Sequence, residues 1–482
     1  SSYPDLNQGN PIEVDSRFNF GVNYYLSNSF NLGLGFERGN QFRVSFSLKG
    51  IFSEDTIPKP KPKNVIRLSS DQIQKSKKDK GIFYRSLNKS LQDESIYIQA
   101  SNYNDDSVDV AVASSRFSSH TRIAGRSARI VSALTDKEIS QINVHTMNGD
   151  LEVATYSLNR KEFDQALSYK GSPSEILSKS HLSSNSETPL FKSAAFMPTV
   201  SYPSIDWSMS PSLRHQIGGP EGFYLGALSW KTDISVKLKR NLSLYTSFSV
   251  NIYDTFNNLI NYSSSQLPHV RSDIQFYLEQ GKNNLQRFQF EYMSSPRKDI
   301  FIRADLGYLE EMFGGIGGEI LYRPFNSKAS LGFTLHRVKQ RGFKQRFSFR
   351  EYTTNTGHAS IYYDLPYGIT SHLMVGKYLA GDKGATLDLS RRFNSGFILG
   401  IFATKTDVPK EIFGEGSFDK GFYFSIPTKL FYSDFRSGNI SFGLHPLTKD
   451  GGALLNSHNS IFSIIGDSNL SSIHRDWEYL LN

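Results

Sequence analysis

The sequence YLAGDKGATLDLSRRFNSG, residues 378–396, predicts two strands joined by a tight turn. The turn contains Gly381-Asp382-Lys383-Gly384, and these residue types favour chain reversal and positive φ angles. After the turn, apolar and polar residues alternate, as is typical of a strand with one apolar and one polar face. The apolar residues are Ala385, Leu387 and Leu389, and the polar residues are Thr386, Asp388, Ser390 and Arg392.

The same alternation recurs from about residue 224 to about residue 427, so it belongs to a repeated wall of strands. Good examples are residues 230–239, 288–292, 302–308, 331–336 and 343–350. Counting such segments gives roughly ten to fourteen strands of the length that crosses an outer membrane. The pattern therefore predicts a mainly β fold built on a closed antiparallel β-barrel of the outer-membrane type, apolar outside and polar inside.

Composition agrees with amphipathic strands. Hydrophobic residues make up only 38% of the 482 residues, but aromatic residues reach 13%, with 36 Phe and 25 Tyr. No window approaches the roughly 18 uninterrupted apolar residues of a transmembrane helix, which excludes a helical inner-membrane protein. A barrel stays possible because each strand hides its apolar face in the alternation.

Cysteine content and charge narrow the chemistry. The chain has no cysteine, which excludes disulfides, thiol catalysis and cysteine zinc sites and is compatible with the cell envelope. The net charge of +8 favours acidic partners. Nucleic acid, acidic glycan and anionic lipid all qualify, and charge alone does not rank them.

The first 57 residues predict the late strands of an N-terminal barrel or sheet. Residues 16–50 contain alternating segments joined by turns at Ser27-Asn28 and Gly39-Asn40, which predicts a three-stranded meander. Such a meander needs a larger sheet to cover its apolar face. Residues 1–4 have the composition of a mature or truncated start rather than a targeting segment.

A proline–lysine linker follows at residues 58–63, PKPKPK, and marks a domain boundary. Its lysines are interpreted either as a solvated spacer or as a contact with an anionic surface.

Residues 64–170 predict a compact α/β module with an α-β-β-α-β-β order and a short final helix. Its first helix is expected over residues 71–93, interrupted by Gly81, with Ile73, Phe83, Leu87 and Leu91 facing inward. The other elements are expected at residues 96–100, 108–113, 118–134, 139–146, 151–156 and 160–167. Such a module has the size of a common domain.

Three arginines of the second module helix, Arg122, Arg126 and Arg129, share one side because they are four and three residues apart. One interpretation is a docking stripe for an acidic glycan or partner, and the other is an ordinary solvated helix face.

The rest of the chain is divided into a connector and the barrel. Residues 171–210 are rich in serine and proline with little periodicity, and residues 211–482 are assigned to the C-terminal barrel. Residues 440–444 and 460–464 are candidate closing strands. The chain lacks the terminal Phe or Trp that is common in outer-membrane barrels.

Several long stretches resemble the YjbH family of exopolysaccharide-biosynthesis outer-membrane proteins. They are PSLRHQIGGPEGF (211–223), GGIGGEILYRPFNS (314–327), VKQRGFKQRFSFREY (338–352), YLAGDKGATLDLSRRFNSG (378–396) and FGEGSFDKGFYFSIP (413–427). The module sequence SSRFSSHTRIAGRSARIV (114–131) is also similar to the central region of the family. The resemblance therefore covers most of the chain.

The resemblance implies an outer-membrane protein of a Gram-negative bacterium, with a periplasmic module, that serves secretion of capsule or biofilm polysaccharide. The implied partners are small periplasmic and lipoprotein partners of the same secretion system. From the barrel pattern and the charged residues we further expect outer-membrane lipids and an acidic polysaccharide as partners, and no nucleic acid. Members of the family are usually longer at the N-terminus, so strands preceding this sequence are expected to complete the first 50 residues.

No motif in the chain predicts catalysis, a cofactor or a metal. The glycine-rich residues 314–318 lack the Lys-Ser/Thr ending of a phosphate loop and predict a hairpin turn. Glu310 and Glu311 are adjacent, and adjacent residues of a strand face opposite ways, which does not suit a carboxylate pair. The 11 histidines show no metal-ligand spacing. We therefore expect a protein that is not an enzyme.

Charged residues on the polar faces are the candidates for a passage. Inside a barrel they would line a wet lumen that guides an acidic polysaccharide, because arginine pairs well with carboxylate and phosphate groups. The alternative is that they pair with one another across strands and rigidify the interior. The candidates are Lys237, Lys239, Arg303, Asp305, Arg346, Arg350, Asp388 and Arg392.

Two rival functions stay open at this point. One is a soluble β-rich polysaccharide-binding or glycan-processing protein. The other is a barrel that scaffolds partners and conducts nothing.

Overall fold

The computed structural model describes residues 14–27, 30–48, 57–62, 65, 67–219, 222–256, 265–413, 418–435, 437–445 and 450–482. In this part of the chain the strands form an N-terminal sheet, a module sheet and a large sheet. The described residues contain no helix that is long and apolar enough to span a membrane.

The N-terminal sheet is the predicted meander. It contains β1 (Phe20–Ser27), β2 (Phe30–Glu37) and β3 (Gln41–Leu48), paired antiparallel in chain order. Gly39 takes a φ of 77° in the second turn, where its lack of a side chain allows the reversal. Asn28, in the other predicted turn, lies outside the described residues. The side chains of Phe20, Val22 and Tyr24 are exposed.

The proline–lysine linker lies against the rest of the chain. The Lys59 ammonium donates hydrogen bonds to main-chain oxygens of Lys429 and Tyr432. The main-chain oxygen of Pro60 accepts a hydrogen bond of 3.4 Å from Arg126. Lys59 is therefore bound within the protein, in contrast to the freely solvated spacer and the anionic-surface contact that the sequence suggests. Lys63 lies outside the described residues.

The α/β module has the element order that the sequence predicts. Its elements are α1 (Ser70–Lys78), α2 (Lys80–Asp93), β4 (Ile96–Tyr103), β5 (Ser107–Ser114), α3 (His120–Leu134), β6 (Gln141–Asn148), β7 (Leu151–Asn159), α4 (Arg160–Leu167), α5 (Pro173–Lys179) and β8 (His181–Ser183). The single helix expected over residues 71–93 is wrong, because the chain breaks at Asp79. Asp79 is extended and its carboxylate accepts a hydrogen bond from the Gly81 amide, which starts α2.

The module has a conventional apolar core. Its sheet has the order β4-β5-β6-β7-β8, and α3 makes the crossover between the parallel strands β5 and β6. Phe83, Leu87 and Leu91 of α2 are fully buried as predicted, whereas Ile73 is only half-buried. They pack with the valines of β5 and with Ile130 and Val131 of α3.

The large sheet is an antiparallel up-and-down array in chain order. In the described residues it has 13 strands: β9 (Ser204–Gly219), β10 (Gly222–Lys239), β11 (Leu242–Asp254), β12 (Asn283–Arg297), β13 (Ile300–Tyr308), β14 (Phe313–Tyr322), β15 (Ala329–Arg341), β16 (Phe349–Leu365), β17 (Ile369–Lys377), β18 (Lys383–Arg392), β19 (Ile398–Thr406), β20 (Asp419–Pro427) and β21 (Asn439–Leu444). The mainly β, antiparallel class is confirmed.

The prediction of a closed barrel is wrong for this structure. Among the described residues, the edge strands β9 and β21 are not paired with each other or with the N-terminal sheet. After β21 the chain leaves the sheet and returns as a segment that runs through its interior. Among the described residues after β21, none forms a strand of the large sheet.

Two boundaries of the large sheet differ from the sequence prediction. The sheet begins at Ser204, inside the predicted connector, because Ile205, Trp207 and Met209 already alternate with polar residues. The connector also contains α5 and β8. The glycine-rich residues 314–318 lie inside β14 instead of in a turn. Close packing explains these glycines, because a Cβ at Gly317 would collide with the His336 ring.

Of two loops at the end of the large sheet far from the module, one agrees with the sequence prediction and the other differs from it. The turn between β17 and β18 forms as predicted, with a φ of 94° at Gly381. Residues 343–348, in contrast, form a loop between β15 and β16 rather than strand. Gln345 has a φ of 49° there, and the Arg341 guanidinium, by donating to main-chain oxygens of Gln345 and Arg346, holds the loop folded.

The last part of the chain is not a pair of closing strands. β21 confirms the candidate at residues 440–444, but residues 460–464 fall mainly in a helix, α8 (Ile461–Ile465), because Ser460 caps it by accepting from the Ser463 amide. The other short helices are α6 (Ile274–Gln280), α7 (Lys410–Phe413) and α9 (Leu470–Arg475). We call residues 450–482 the strap.

Candidate functional site

The large sheet has an inverted polarity that defines the candidate site. In β15 the side chains of Leu331, Phe333 and Leu335 are about half exposed, at 50–55%. Their neighbours Ser330 and His336 are buried on the opposite face. We call the face with the buried polar residues the interior face and the other the outer face.

The same inversion occurs along the sheet. In the hairpin of residues 378–396, Thr386 is 1% exposed whereas Leu387 is 43% exposed. Buried polar side chains of the interior face include Ser247, Gln289, Glu291, Arg303, Asp305, Glu319, His336, Thr354, His358, Ser360, Thr386 and Thr404. Outer-face residues exposed to a similar degree as Leu387 include Leu306, Ile316, Ile320, Ile361, Val375, Leu399 and Ile401.

A buried ionic cluster lies at the centre of the interior face. The strand register places Glu291 opposite Asp305 and Arg303 opposite Glu319. The Arg303 guanidinium lies 3.8 Å from Glu291 and 3.5 Å from both Asp305 and Glu319. The His336 ring contacts the Asp305 carboxylate at 3.1 Å. The cluster therefore joins β12, β13, β14 and β15 by their interior side chains.

The strap enters the interior at the end far from the module. The Asp450 carboxylate accepts hydrogen bonds from the main-chain amides of Arg271 and Ser272 at 2.8 and 2.9 Å. The amide of Gly452 donates to Asp382 at 2.8 Å. The amide of Asn456 donates to Glu310 at 2.8 Å. Hydrogen bonds between side chains and main-chain amides thus join the strap to the sheet and its loops, in both directions.

The middle of the strap continues along the ionic cluster. Arg303 donates a hydrogen bond of 3.3 Å to the Ser457 hydroxyl, and the His458 ring lies 4.3 Å from the Tyr245 ring. The Ile461 amide donates to Glu319 at 3.0 Å. Helix α8 then packs Ile461 and Ile465 with Phe301 and Leu321 of the sheet.

The strap leaves the interior at the module end through charged contacts. Asp467 forms ion pairs with Arg392 of β18 at 2.5 Å and with Arg475 at 3.3 Å. Burial alone would raise the pKa of Asp467, but Arg392, Arg475 and Arg323 outweigh it and hold the pKa below its ordinary value. Asp467 is therefore charged at neutral pH.

Loop residues fill the far end of the interior. Arg271 makes a bidentate contact with Glu310, with distances of 2.7 and 3.0 Å. Arg350 pairs with Asp273 at 2.6 Å, beside α6. The fully buried Arg341 donates to main-chain oxygens of Leu285, Gln286, Glu310, Gln345 and Arg346. These contacts fix the loops over the far end.

Two cavities flank the strap in the interior. The first has a volume of about 760 Å³ and is lined by Lys231, Asp233, Tyr245 and Arg287 among others. The second has a volume of about 590 Å³ and is lined by residues that include Met374, Thr386, Asp388, Phe402 and Thr404. Glu310, Glu311 and Asn456 line both cavities. Withdrawal of the strap would therefore join the two cavities.

Glu310 and Glu311 face the same space, contrary to the sequence argument. They lie in the turn between β13 and β14, where adjacent side chains need not alternate. Arg271 binds Glu310, and Arg214 forms an ion pair with Glu311. Among the described residues, no group of three or more His, Asp or Glu side chains is arranged to hold a metal ion.

The predicted lumen residues fall into distinct places. Arg303, Asp305, Asp388 and Arg392 lie on the interior face; Asp388 accepts a hydrogen bond of 2.9 Å from Tyr423, and Arg392 holds the strap. Arg350 lies at the far end and Arg346 is exposed in the loop before β16. Lys237 and Lys239 lie at the module end of β10, where Lys237 pairs with Asp150 of the module at 2.7 Å. The structure therefore does not bring the eight residues together.

The exposed arginine stripe predicted on α3 is wrong for this structure, because other parts of the chain cover it. Arg122 lies 4.4 Å from the rings of both Phe435 and Tyr479. Arg126 pairs with buried Glu94, and Arg129 donates to the main-chain oxygen of Leu481 at 2.8 Å. Burial lowers the pKa of Arg126 and Arg129 below the ordinary arginine value.

Sequence reasoning missed the strap and its binding residues. Glu291 and His336 stand on polar faces that the alternation identifies. The strand register places Glu291 opposite Asp305, and it places both Asp305 and His336 opposite Gly317, across which their side chains meet. Arg341 carries no such signal, because its partners are main-chain oxygens of distant loops. The strap carries a weak signal only: it has neither a clear alternation nor a terminal aromatic residue.

Comparison with known proteins gives the family. The chain is 28% identical to "Uncharacterized lipoprotein YjbH" of Escherichia coli (strain K12), over 95% of this chain and 66% of the relative. It thus spans just under two thirds of the length of that relative. A solved structure of OmpTdeltaL8, a loop-deletion mutant of an outer membrane protein of Vibrio cholerae, matches 47% of this chain and 87% of that chain, with 8% identity and a TM-score of 0.22.

The family assignment comes from a match over nearly the whole chain. Residues 1–467 match the sequence model described as "Exopolysaccharide biosynthesis protein YbjH". This confirms the resemblance noted from the sequence. The chain belongs to the YjbH family.

Proposed function

We propose that this chain is part of an outer-membrane β-barrel protein that assists secretion of an acidic exopolysaccharide. The outer face of the large sheet contacts lipid, the interior face is wet, and the α/β module lies in the periplasm. The protein acts without catalysis, beside small periplasmic and lipoprotein partners of the same secretion system. The inverted polarity of the large sheet carries this proposal.

The polarity argument is energetic. Leaving a Val, Leu, Ile or Phe side chain in water instead of burying it forfeits about 1.5–3 kcal/mol. Leu331, Phe333 and Leu335 form a continuous exposed row on one strand, and neighbouring strands extend it. Apolar patches of this extent mark contact with another apolar phase. A lipid bilayer supplies that phase around a polar interior.

The first experiment places a charge on the outer face. Leu335→Arg should prevent the folded, heat-modifiable form in outer-membrane fractions, because arginine facing lipid costs about 2–4 kcal/mol at the bilayer midplane. Phe347→Arg is the matched control, since Phe347 is exposed in the loop before β16. The control should fold and migrate like the parent protein.

The rival soluble glycan-binding or glycan-processing function makes the opposite prediction. In a soluble protein, Leu335 would face water, and its replacement by arginine would leave folding unchanged. Recovery of the parent protein in the soluble periplasmic fraction, without a heat-modifiable form, would refute the membrane proposal.

The acidic polysaccharide is tested at the far end of the interior. Arg346 is exposed, so Arg346→Glu changes local charge without removing a known ion pair. Arg350→Glu also removes the pair with Asp273, and Arg350→Gln separates that loss from charge reversal. We expect the double Glu variant to form the heat-modifiable barrel and to export less polysaccharide than Arg350→Gln, which loses the same ion pair. Normal export by a folded double variant would refute this path.

A non-conducting scaffold is the second candidate, and the strap favours it. The strap and the loops beside α6 occupy the interior from the far end to the module end. A scaffold of this kind would hold partners at the module and pass nothing. Conductance across planar bilayers distinguishes the candidates, provided that the strap can leave the interior.

A further inference from the structure

The strap is attached to the interior in a way that suits a movable closure. It contributes no strand to the large sheet. Side chains of the sheet and its loops accept hydrogen bonds from the amides of Gly452, Asn456 and Ile461. Main-chain oxygens of the strap accept hydrogen bonds from Arg271, Arg287 and the Leu379 amide. Such bonds leave the strand pairing of the wall complete when they break. Asn456 lines both interior cavities, whose volumes are about 760 and 590 Å³.

The end of the strap is held on the module by a closely fitted contact. Gly125 is in the middle of α3, where glycine costs about 1 kcal/mol relative to alanine. A Cβ at this position would collide with the main-chain oxygen of Leu480. The glycine thus permits the close approach of the strap to the helix.

Neighbouring contacts complete this attachment. The Trp477 indole donates a hydrogen bond of 2.7 Å to the main-chain oxygen of Pro173 and stacks on Tyr156 with ring centroids 6.5 Å apart. Arg129 binds the main-chain oxygen of Leu481. Leu480 is buried. We call α3 and these bound residues, 477–481, the latch.

We propose that the strap is a releasable closure of the interior and that the latch on the module holds it shut. This inference rests on the proposed membrane function, because only a barrel has a passage to close. It unites the two candidates above: the protein does not conduct while latched and opens when the latch is released. The module is then the part through which a periplasmic partner controls the passage.

The test loosens the latch without touching the wall. Gly125→Val should displace residues 477–481 from α3. Asp467→Asn should weaken the contact of the strap with Arg392, where the strap leaves the interior. Gly81→Val is the matched control, because a Cβ at this α2 glycine meets side-chain atoms of Asp79 and Arg85 instead of the main chain of the strap. All variants are made in the full-length protein and reconstituted into planar bilayers and liposomes.

The expected result is a rise of about tenfold or more in KCl conductance and stachyose uptake for Gly125→Val, and a smaller rise for Asp467→Asn. A second readout is maleimide labelling of Ser457→Cys, measured against the same protein without this substitution. Its labelling rate should rise with the conductance. Gly81→Val should match the parent protein in both measurements.

The outcomes separate the two proposals. A parent protein without a heat-modifiable folded form overturns the membrane function and the closure together. A folded parent and folded latch variants with equal conductance and equal labelling overturn the closure and leave the membrane function standing. If Gly125→Val fails to fold, Asp467→Asn alone decides the question by the same readouts.

Discussion

The module and the large sheet use the same alternation of residues and bury opposite faces. In β5 of the module, Val108, Val110 and Val112 are fully buried. In β15 of the large sheet, the corresponding apolar row, Leu331, Phe333 and Leu335, is about half exposed, at 50–55%, and the polar row is inside. The alternation therefore defines a strand, but only burial tells which phase each face meets.

The two regions are consequently held together by different forces. The module depends on apolar packing around Phe83, Leu87 and their neighbours. The interior of the large sheet contains ion pairs around Arg303, loop contacts to Arg341 and the polar main chain of the strap, together with two smaller apolar clusters. Substitutions should therefore have opposite effects in the two regions, and the predictions below test that difference.

The largest effect is expected in the ionic cluster. Arg303→Met would leave the carboxylates of Glu291, Asp305 and Glu319 buried without their cation, which costs about 3–5 kcal/mol. The temperature at which the folded gel form converts to the unfolded form should fall markedly. A substitution by methionine in an apolar core leaves no buried charge unpaired and would be tolerated better.

A second substitution checks that unpaired charge is the cause. Adding Glu319→Gln to Arg303→Met should restore part of the lost stability, since it removes one unpaired carboxylate. If Glu319→Gln lowers the stability of Arg303→Met by as much as it lowers that of the parent protein, the cluster is not an electrostatic unit.

The next effect compares leucines of the two regions. Leu87→Ala in the module core should cost about 2–5 kcal/mol, because it leaves a cavity beside Phe83. Leu335→Ala on the outer face should cost less than about 1 kcal/mol in detergent, because detergent fills the space. Urea-dependent proteolysis of the full chain measures both. Equal losses would mean that Leu335 packs against protein.

A pH effect is expected where the strap meets the module. Burial lowers the pKa of His120 to about 4, despite the opposing influence of Asp467, Asp476 and the Ile465 carbonyl; Arg323 lowers it further. The folded protein therefore binds this proton less readily than the unfolded chain. The contribution of neutral His120 to the free energy of unfolding is complete above pH 6.5. It falls as the pH drops toward 4, by at most about 3 kcal/mol.

The measurement is protease sensitivity of the strap at pH 7.5 and 4.5. His120→Gln should reduce the loss of protection at the lower pH. Asp467 affects stability in a different pH range. Its pKa is held below the ordinary 3.8, so its contribution to stability is lost only under more acidic conditions. A parent protein with equal protection at both pH values would contradict the assignment to His120.

Local patterns predicted most of the strands and the module but not how the sheet ends. Alternation and turn residues identify β18 and its Gly381 turn, because these depend on neighbours in the chain. The Asp79 break in the first helix was missed, although aspartate is a common N-cap. The closed barrel was inferred from the repeated alternation of apolar and polar residues. That repetition carries no information on whether the edge strands β9 and β21 pair with each other.

The candidate site was predicted in part for the same reason. The polar faces locate Arg303, Asp305, Asp388 and Arg392, because side-chain direction follows strand period. Their partners depend on register between strands and on the strap, which contacts Arg392 through Asp467. The α3 arginines illustrate the limit: spacing groups them on one side, but only the folded chain shows that residues 477–482 cover that side.

The smallest effect concerns Lys237, which the sequence assigns to the lumen and the structure places at the junction. Its ammonium lies 2.7 Å from Asp150, and the two side chains are 38% and 13% exposed. Water screens such a pair, so Lys237→Gln should change stability by less than about 1 kcal/mol. Double-mutant analysis with Asp150→Asn should give a coupling of that size. Since the pair joins the sheet to the module, the variant should loosen the junction and leave polysaccharide export unchanged. A large export defect with an intact junction would instead support the assignment of Lys237 to the lumen.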